Sequence, residues 1–410
     1  MRRVIVIGGG VIGLCSAWWL AEAGLAVSVV EREDGVGRGA SYRNGGQLSY
    51  RFVAPLADAG VPLKALRWMF ERDSPLHWQP RADLQQWQWL ARFLLHCRRS
   101  SNAKTSARLL RLGQLSREAL ADLGLPAEQF ALRDPGKLVF YRSGRALDAA
   151  AARPENQGAS VLSGAGCANQ EPALSAVAAS LAGGIFTPGE AVADCHAFCL
   201  ALEQRLASHP RYLGRIQADV HRLVVERGAV KHIDSSAGAL RANAYVLAAG
   251  IDSRALAASA GLKLPLYPVK GYSLSCPIRP RDQAPSISVT DAERKVLYAR
   301  IGDQMRVAAL ADLVGFDAGI DPARVATVLR HARATMPHAA DYERAQPWAG
   351  LRPATPDGAP IIGASPYPNL WLNVGHGALG FTLACGSAQL LAALMRGHAP
   401  AIALDGLGLR

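Results

Sequence analysis

The chain has no C-x-x-C pair, no internal repeat, no low-complexity linker and no Ser/His/Asp or Cys/His constellation. Its seven cysteines, at positions 15, 97, 167, 195, 199, 276 and 385, form no even framework. They read as reduced intracellular thiols, which excludes a disulfide scaffold. Cys195, His196 and Cys199 cluster as CHAFC, but no second pair completes a site, so no metal is expected. No uncharged apolar stretch of about 18 residues is read in the sequence, so no spanning helix is expected. Acidic residues are the scarcer charge: 33 Asp and Glu against 45 Lys and Arg leave +12. That excess favours anionic partners. No basic-aromatic module accompanies it, which argues against nucleic acid and leaves an anionic membrane surface or an acidic small molecule.

What is present begins at the N-terminus, MRRVIVIGGGVIGLCSAWWLAEAG. Two arginines before an apolar run imitate a leader, but the order of residues is that of strand, turn and helix. Val4 to Ile7 are β-branched and wholly apolar, as a buried parallel strand requires. Gly8, Gly10 and Gly13 follow as G-x-G-x-x-G, Val11 and Ile12 open the helix, and Gly24 stands at the C-cap position. A second apolar strand ends at Glu31, followed by Arg32. Gly8 allows the turn, Gly10 lets backbone approach a pyrophosphate, and Gly13 lets helix and sheet pack closely. The helix N-terminus offers free N–H groups to phosphate. Glu31 can accept from ribose hydroxyls and would repel a 2′-phosphate, which disfavours NADP.

The chain does not go on as a simple dehydrogenase. It enters GASYRNGGQLSYRF, with Ser41, Asn44, Gly45, Gly46, Gln47 and Leu48, then a tryptophan-rich helical segment. Downstream, YVLAAG is a strand whose exit, Ala248, Ala249 and Gly250, lets backbone come close to a cofactor. Extended segments between 265 and 310 carry Tyr272 on one face with Leu274 and Cys276, and Tyr298 with Arg300. These strands suit a wall over a ligand. A second G-x-G-x-x-G, Gly375, Gly377 and Gly380 in WLNVGHGALGFTL, stands too near the end for another nucleotide unit. It reads as a helix N-terminus aimed at a flavin ring, where the dipole and backbone N–H groups would stabilise charge gathering on reduction. The cofactor motifs and wall candidates interleave, which implies discontinuous domains: 1–50, 150–253 and 346–410 for cofactor, 51–149 and 254–345 for substrate.

GGGVIGLCSAWWLAEAG…ERE, SYRNGGQLS…APLADAGVPLKALRWMFERDSPL, YPVKGYSLSCPI and WAGLRPATPDGAPIIGASPYPNLWLNVGHGALGFTLACGSAQLL together resemble bacterial FAD-dependent D-amino-acid dehydrogenases, within the D-amino-acid oxidase and glycine oxidase class. The resemblance implies an α/β fold, with a Rossmann-like FAD-binding domain and a discontinuous antiparallel-sheet substrate domain. It implies non-covalent FAD held by Gly8, Gly10, Val11, Ile12, Gly13, Glu31 and Arg32. Ser41, Asn44, Gly46, Gln47 and Leu48 would line the flavin, Val220 the adenine side, and Ala249, Gly250, Gly375, Gly377, Leu379, Gly380, Phe381 and Thr382 the rest. Arg352 would bind the substrate carboxylate, Tyr272 and Tyr298 supply hydroxyls, and Gln47 and His376 stand at the reacting edge. The implied reaction is hydride transfer from Cα of a small or cyclic D-amino acid (D-alanine, D-proline or cis-4-hydroxy-D-proline) to the flavin, giving an imine or 2-oxo acid. Electrons would then pass to a quinone. The basic, tryptophan-rich stretch 67–111 suggests a cytoplasmic enzyme touching the inner face of the membrane. This chain departs from the family's usual pattern at Gly45, Tyr50, Ala378, Phe381 and Tyr298.

Overall fold

The structure is a computed structural model and describes residues 2–68, 73–153 and 156–410. Met69 and Phe70 of the VPLKALRWMF motif, and the Glu71 and Arg72 that follow, lie outside the described residues.

Two sheets organise the chain. The first has six strands in the order 361–364, 370–374, 244–247, 3–7, 26–31 and 212–217. All neighbours are parallel except the antiparallel pair 361–364 and 370–374. In the strand Arg3–Ile7 the apolar residues Val4 to Ile7 are buried, and their side chains divide by parity. Val4 and Val6 enter one core with helix Val11–Glu22, while Ile5 and Ile7 enter another with Tyr245 and Leu247. That is why the strand is apolar throughout rather than alternating. The second sheet has nine strands, running 346–354, 267–277, 304–313, 296–301, 288–291, 137–141, 183–187 and 160–162, with 76–78 added beside 304–313. Helix Pro322–Thr335 covers one of its faces. A three-stranded antiparallel sheet, 220–240, flanks the first sheet.

Sheet membership departs from the expected division in three places. Strands 160–162 and 183–187, and strand 346–354, pair within the large sheet rather than the nucleotide sheet. Helix Arg99–Leu123 buries Leu109, Leu112, Ala119 and Leu123 in the core of the nucleotide half. Its apolar stripe is spent there, not on the substrate wall.

The expectation that no apolar stretch reaches 18 residues is also corrected. Gly377–Met395 carries no charged residue over 19 residues, with mean hydropathy 1.6. Two thirds of it (67%) is buried inside the protein, against helices Val11–Glu22 and Arg99–Leu123. A helix that is apolar all round is what such a central position demands.

The crossing of the last helix with Arg99–Leu123 is close because of Gly386. A Cβ there would lie 2.7 Å from the Ser116 nitrogen and 3.0 Å from the Leu112 oxygen, and Gly386 N–H donates to Ser116 Oγ at 3.1 Å. These are backbone atoms of a packed helix and cannot step aside singly. Gly386→Ala should therefore destabilise the protein by about 1–3 kcal/mol, read as a lower denaturation midpoint in chemical unfolding.

Candidate active site

The nucleotide end is built by close backbone approach. Gly8 sits at φ +110° and donates to Val30 O at 2.8 Å. A Cβ on Gly13 would lie 1.8 Å from the Gly8 oxygen, so only glycine lets the helix leave the strand here. Gly10 caps helix Val11–Glu22 without a side-chain hydrogen bond. Val11 N–H donates to Ser41 Oγ at 3.0 Å. Glu31 receives Gly9 N–H at 2.6 Å and Glu33 N–H at 3.1 Å, so its carboxylate is oriented at the end of the second strand with lone pairs to spare. An uncapped helix start, a glycine cradle and an oriented acid fit the ADP half of FAD. Arg32 is not free for that purpose: it pairs with Asp252, beside Gly250 at φ +55°. Val220 stands two residues beyond Ala218, whose N–H bonds Glu31 O at 2.9 Å.

The flavin loop is clamped from several directions. Asn44 Oδ1 accepts Gly46 N–H at 2.9 Å, and Gly46 turns at φ +63° against Ile301 and the Ala193 carbonyl. Arg43 O accepts the Ser273 hydroxyl at 2.6 Å and Asn44 O accepts Arg306 Nη1 at 2.6 Å. Gln47 and Leu48 pair with Val192 and Ala191. The Gln47 amide nitrogen donates to Ser288, while its oxygen accepts Lys137 Nζ at 2.5 Å. Thr382 joins this strand to the last helix, accepting Ser49 N–H at 3.1 Å and donating to Gln47 O at 3.3 Å.

The C-terminal glycines do form a helix start. Gly375 and Gly377 take φ +82° and +54°, a short turn covers Gly377–Leu379, and helix Gly380–Met395 follows; neither the turn nor the helix carries a side-chain cap. Phe381 points into the core against Phe198, not at a ligand. His376 is packed against the last helix. It is buried, and its Nε2 meets Ser387 Oγ at 3.0 Å inside the helix.

Register separates Arg352 from the two tyrosines. Across the pair of strands 267–277 and 346–354, Val269 faces Arg352, Gly271 faces Gly350 and Ser273 faces Trp348. Those odd-numbered positions of the first strand share the face that meets the flavin loop through Ser273. Tyr272 lies on the other face, and Tyr298 with it, both in the core under helix Pro322–Thr335. The Tyr298 hydroxyl donates to His331 O at 3.4 Å, and burial raises both phenols. Neither tyrosine is brought to Arg352.

Arg352 is half-buried. Its Nη1 donates to Leu310 O at 2.9 Å, and it makes no ion pair among the described residues. Burial pulls its pKa down, opposed by Asp312. Asp357, the acid that would compete for it, is held by Arg410 at 2.6 Å. Leu310 reaches its carbonyl position through φ +69° at a bulge opposite Lys270–Tyr272. A Cβ on Gly271 would lie 2.1–2.4 Å from the guanidinium, so the arginine lies flat over that glycine. Gly271, Lys137 and Ser288 were missed in the sequence. Their signals were a glycine in an apolar strand and a lone lysine heading KLVFY. A surface groove of about 500 Å³ beside helix Cys195–Ala207, lined by Leu200, Glu203 and Tyr212, touches none of these residues.

Residues 3–394 match the family described as FAD dependent oxidoreductase. The chain is 48% identical to D-amino acid dehydrogenase 2 of Pseudomonas aeruginosa, over 99% of this chain and 98% of that one. It is 44% identical to D-amino acid dehydrogenase 2 of Ralstonia nicotianae, over 98% of each. Among solved structures, glycine oxidase from Geobacillus kaustophilus superposes with TM-score 0.75 at 22% identity, over 100% and 99% of the two chains. L-proline dehydrogenase from P. horikoshii does so with TM-score 0.74 at 16% identity, over 99% and 96%.

The state of His376 has a measurable consequence. Burial pushes its imidazole down to about 3, whereas the unfolded residue titrates near ~6.5. Between those values only the unfolded chain takes up the proton. The stability tied to His376 is thus complete above the unfolded pKa and lost as pH falls toward the folded one, at about 1.4 kcal/mol per pH unit. Denaturant unfolding at about pH 7 and about pH 5 should show wild type losing about 2 kcal/mol more than His376→Gln, whose amide still reaches Ser387.

Proposed function

The chain belongs to the FAD-dependent oxidoreductase family, and from that premise we propose that it oxidises small or cyclic D-amino acids by hydride transfer from Cα to the flavin. The observation that carries this reading is Arg352: a half-buried guanidinium with no carboxylate partner among the described residues, on the same sheet face as the loop 41–49. A guanidinium fork fits a carboxylate bidentately, and an α-amino acid brings one. Bound FAD supplies the hydride acceptor. The protein's own part is orientation: Arg352 holds the carboxylate, and Gly271 leaves the strand floor bare beneath the guanidinium, while the Trp348 indole lies over Gly350. The start of helix Gly380–Met395 presents N–H groups and a positive dipole to the ring. No side-chain nucleophile is required. The relatives named D-amino acid dehydrogenase support the D-configuration and an acceptor other than oxygen, for which we propose a quinone.

The proposed contact with a membrane is supported by helix Leu84–His96. Its inner side buries Gln86, Trp89 and Phe93. Its outer side exposes Leu84 (70%), Trp87 (46%), Leu94 (53%) and Leu95 (60%), with Leu63 (77%) on the preceding helix. Arg92, Arg98, Arg99 and Lys104 are exposed around them. Apolar side chains rimmed by cations suit an anionic lipid surface on the inner face of the membrane. The holoenzyme should sediment with anionic liposomes at low salt and be released at high salt. Leu94→Asp/Leu95→Asp should bind at neither.

Three variants and a substrate panel test the site. Anaerobic flavin bleaching should occur with D-amino acids of small or cyclic side chain and not with their L-isomers, and a quinone analogue should restore the colour. Arg352→Ala should lower kcat/KM by about a hundred- to several-thousand-fold, corresponding to roughly 3–5 kcal/mol, with Lys recovering part. Gly271→Ala should act similarly but more mildly. Its methyl meets the far end of a flexible side chain, so the guanidinium moves while stability changes by less than about 1 kcal/mol. Flavin content should stay at the wild-type level in all three. Lost flavin with normal turnover per remaining holoenzyme would make Arg352 structural.

A further inference from the structure

Lys137 heads the strand Lys137–Tyr141, KLVFY, whose other residues are apolar or aromatic. It is 2% exposed and makes no ion pair among the described residues. Its ammonium donates to Gln47 Oε1 at 2.5 Å and to Ser49 Oγ at 3.2 Å, and lies 4.2 Å from the centre of the Phe52 ring. Leaving an ammonium in such a place is costly, and an apolar residue would fill it more cheaply. The contacts say what the charge does there. With Lys137 on its oxygen and Ser288 taking its nitrogen, the Gln47 amide has one orientation. The opposite edge of the same short strand is bonded to Thr382, in the first turn of the helix that faces the flavin.

We propose that Lys137 is a positioning residue for the flavin, locking the strand Gln47–Leu48 and lending a buried positive charge to the reduced ring. The proposal rests on FAD lying against Gln47, and not on which amino acid is oxidised. A hydride carries two electrons and one proton, so the ring ends one unit more negative than it began. A positive charge held in a low-dielectric wall favours that state, and loses its effect when the ammonium gives up its proton. Glu190, 1% exposed, is the charged group facing Lys137. Its Oε1 accepts Arg51 N–H at 2.7 Å, and burial raises its carboxyl against the pull of Lys137. The residues paired with Lys137 in the sheet, Ser288 and Thr187, are neutral. Burial lowers the ammonium to about 8, with Glu190 opposing.

The test is the flavin midpoint potential of the holoenzyme, followed from about pH 6 to about pH 10, which brackets the lysine range. Wild type should show an added downward break near the Lys137 value, because the charge that favours reduction disappears there. Lys137→Met should lack the break and lie lower by at least a tenfold shift toward oxidised flavin, about 30 mV for a two-electron couple. Lys137→Arg stays charged and should keep the higher potential without the break. Glu190→Gln should move the break to lower pH. A Lys137→Met holoenzyme with the wild-type potential and curve would show that the lysine only packs, and would overturn the proposal. So would a Lys137→Arg potential equal to that of Lys137→Met. If Lys137→Met yields no holoenzyme, the wild-type curve decides, since absence of a break over the whole range overturns it as well.

Discussion

Everything in the site hangs on one short segment, Ser41–Ser49, being bonded on all sides at once. Its first residue takes the N–H of Val11 at the start of the nucleotide helix. Its middle carbonyls take Ser273 and Arg306 from the large sheet. Its last residues take Lys137 from that sheet and Thr382 from the final helix. Two helix starts far apart in sequence and a nine-stranded sheet are thereby referred to a common piece of backbone. A shift in any one of them would be felt by the others, because the segment has almost no unbonded edge through which to relax. Orientation chemistry needs that kind of frame, since its rate depends on placement rather than on a reactive side chain.

The parts legible in the sequence were those whose cause is local. Gly8, Gly10, Gly13 and Glu31 follow one another within a single strand–turn–helix–strand unit, and each is required by contacts inside that unit. The terminal GHGALG was readable for the same reason: three glycines and an apolar helix are a local pattern. Arg352 comes from the resemblance alone, and the structure adds that it has no ion-pair partner among the described residues. The tyrosines show where such reading stops. Period two says that Tyr272, Leu274 and Cys276 share a face; it does not say which face meets the ligand. That is decided by helix Pro322–Thr335, some fifty residues away in sequence, which claims the even-numbered face for its own core. His376 shows the same limit, because its partner Ser387 lies eleven residues on, inside the last helix.

The same limit explains the boundaries. Helix Arg99–Leu123 lies in sequence between wall candidates, yet its leucines belong to the nucleotide core and its backbone at Leu112 and Ser116 fits against the glycine at 386. Only the partner surface could assign it. The apolar run 377–395 was overlooked as a length because it was read as a loop motif followed by an ordinary helix. Its composition follows from being enclosed by two other helices.

The buried cations share one logic. Arg324 is fully provided for: it forks onto Asp312 at 2.6 and 3.1 Å, with Ser74 O taking a third bond. Such a group is satisfied within the fold, and removing either partner would strand the other. Arg352 and Lys137 are left differently: each bonds carbonyl, amide or hydroxyl oxygens and no carboxylate within ion-pair distance among the described residues, Glu190 only facing Lys137. Neutral acceptors lower the cost of burial without cancelling the charge, so each site keeps an unspent preference for negative charge. For Arg352, open to the face of its strand, a carboxylate arriving from outside meets that preference. Lys137 is closed off, and there the negative charge must arise nearby instead, as it does on a ring that has accepted a hydride. The two cations stand on one sheet, Arg352 on its edge strand and Lys137 five strands away. In the proposed reaction the first receives the substrate's charge and the second favours the charge that hydride transfer creates, so both roles rest on how one sheet leaves its cations without a paired acid.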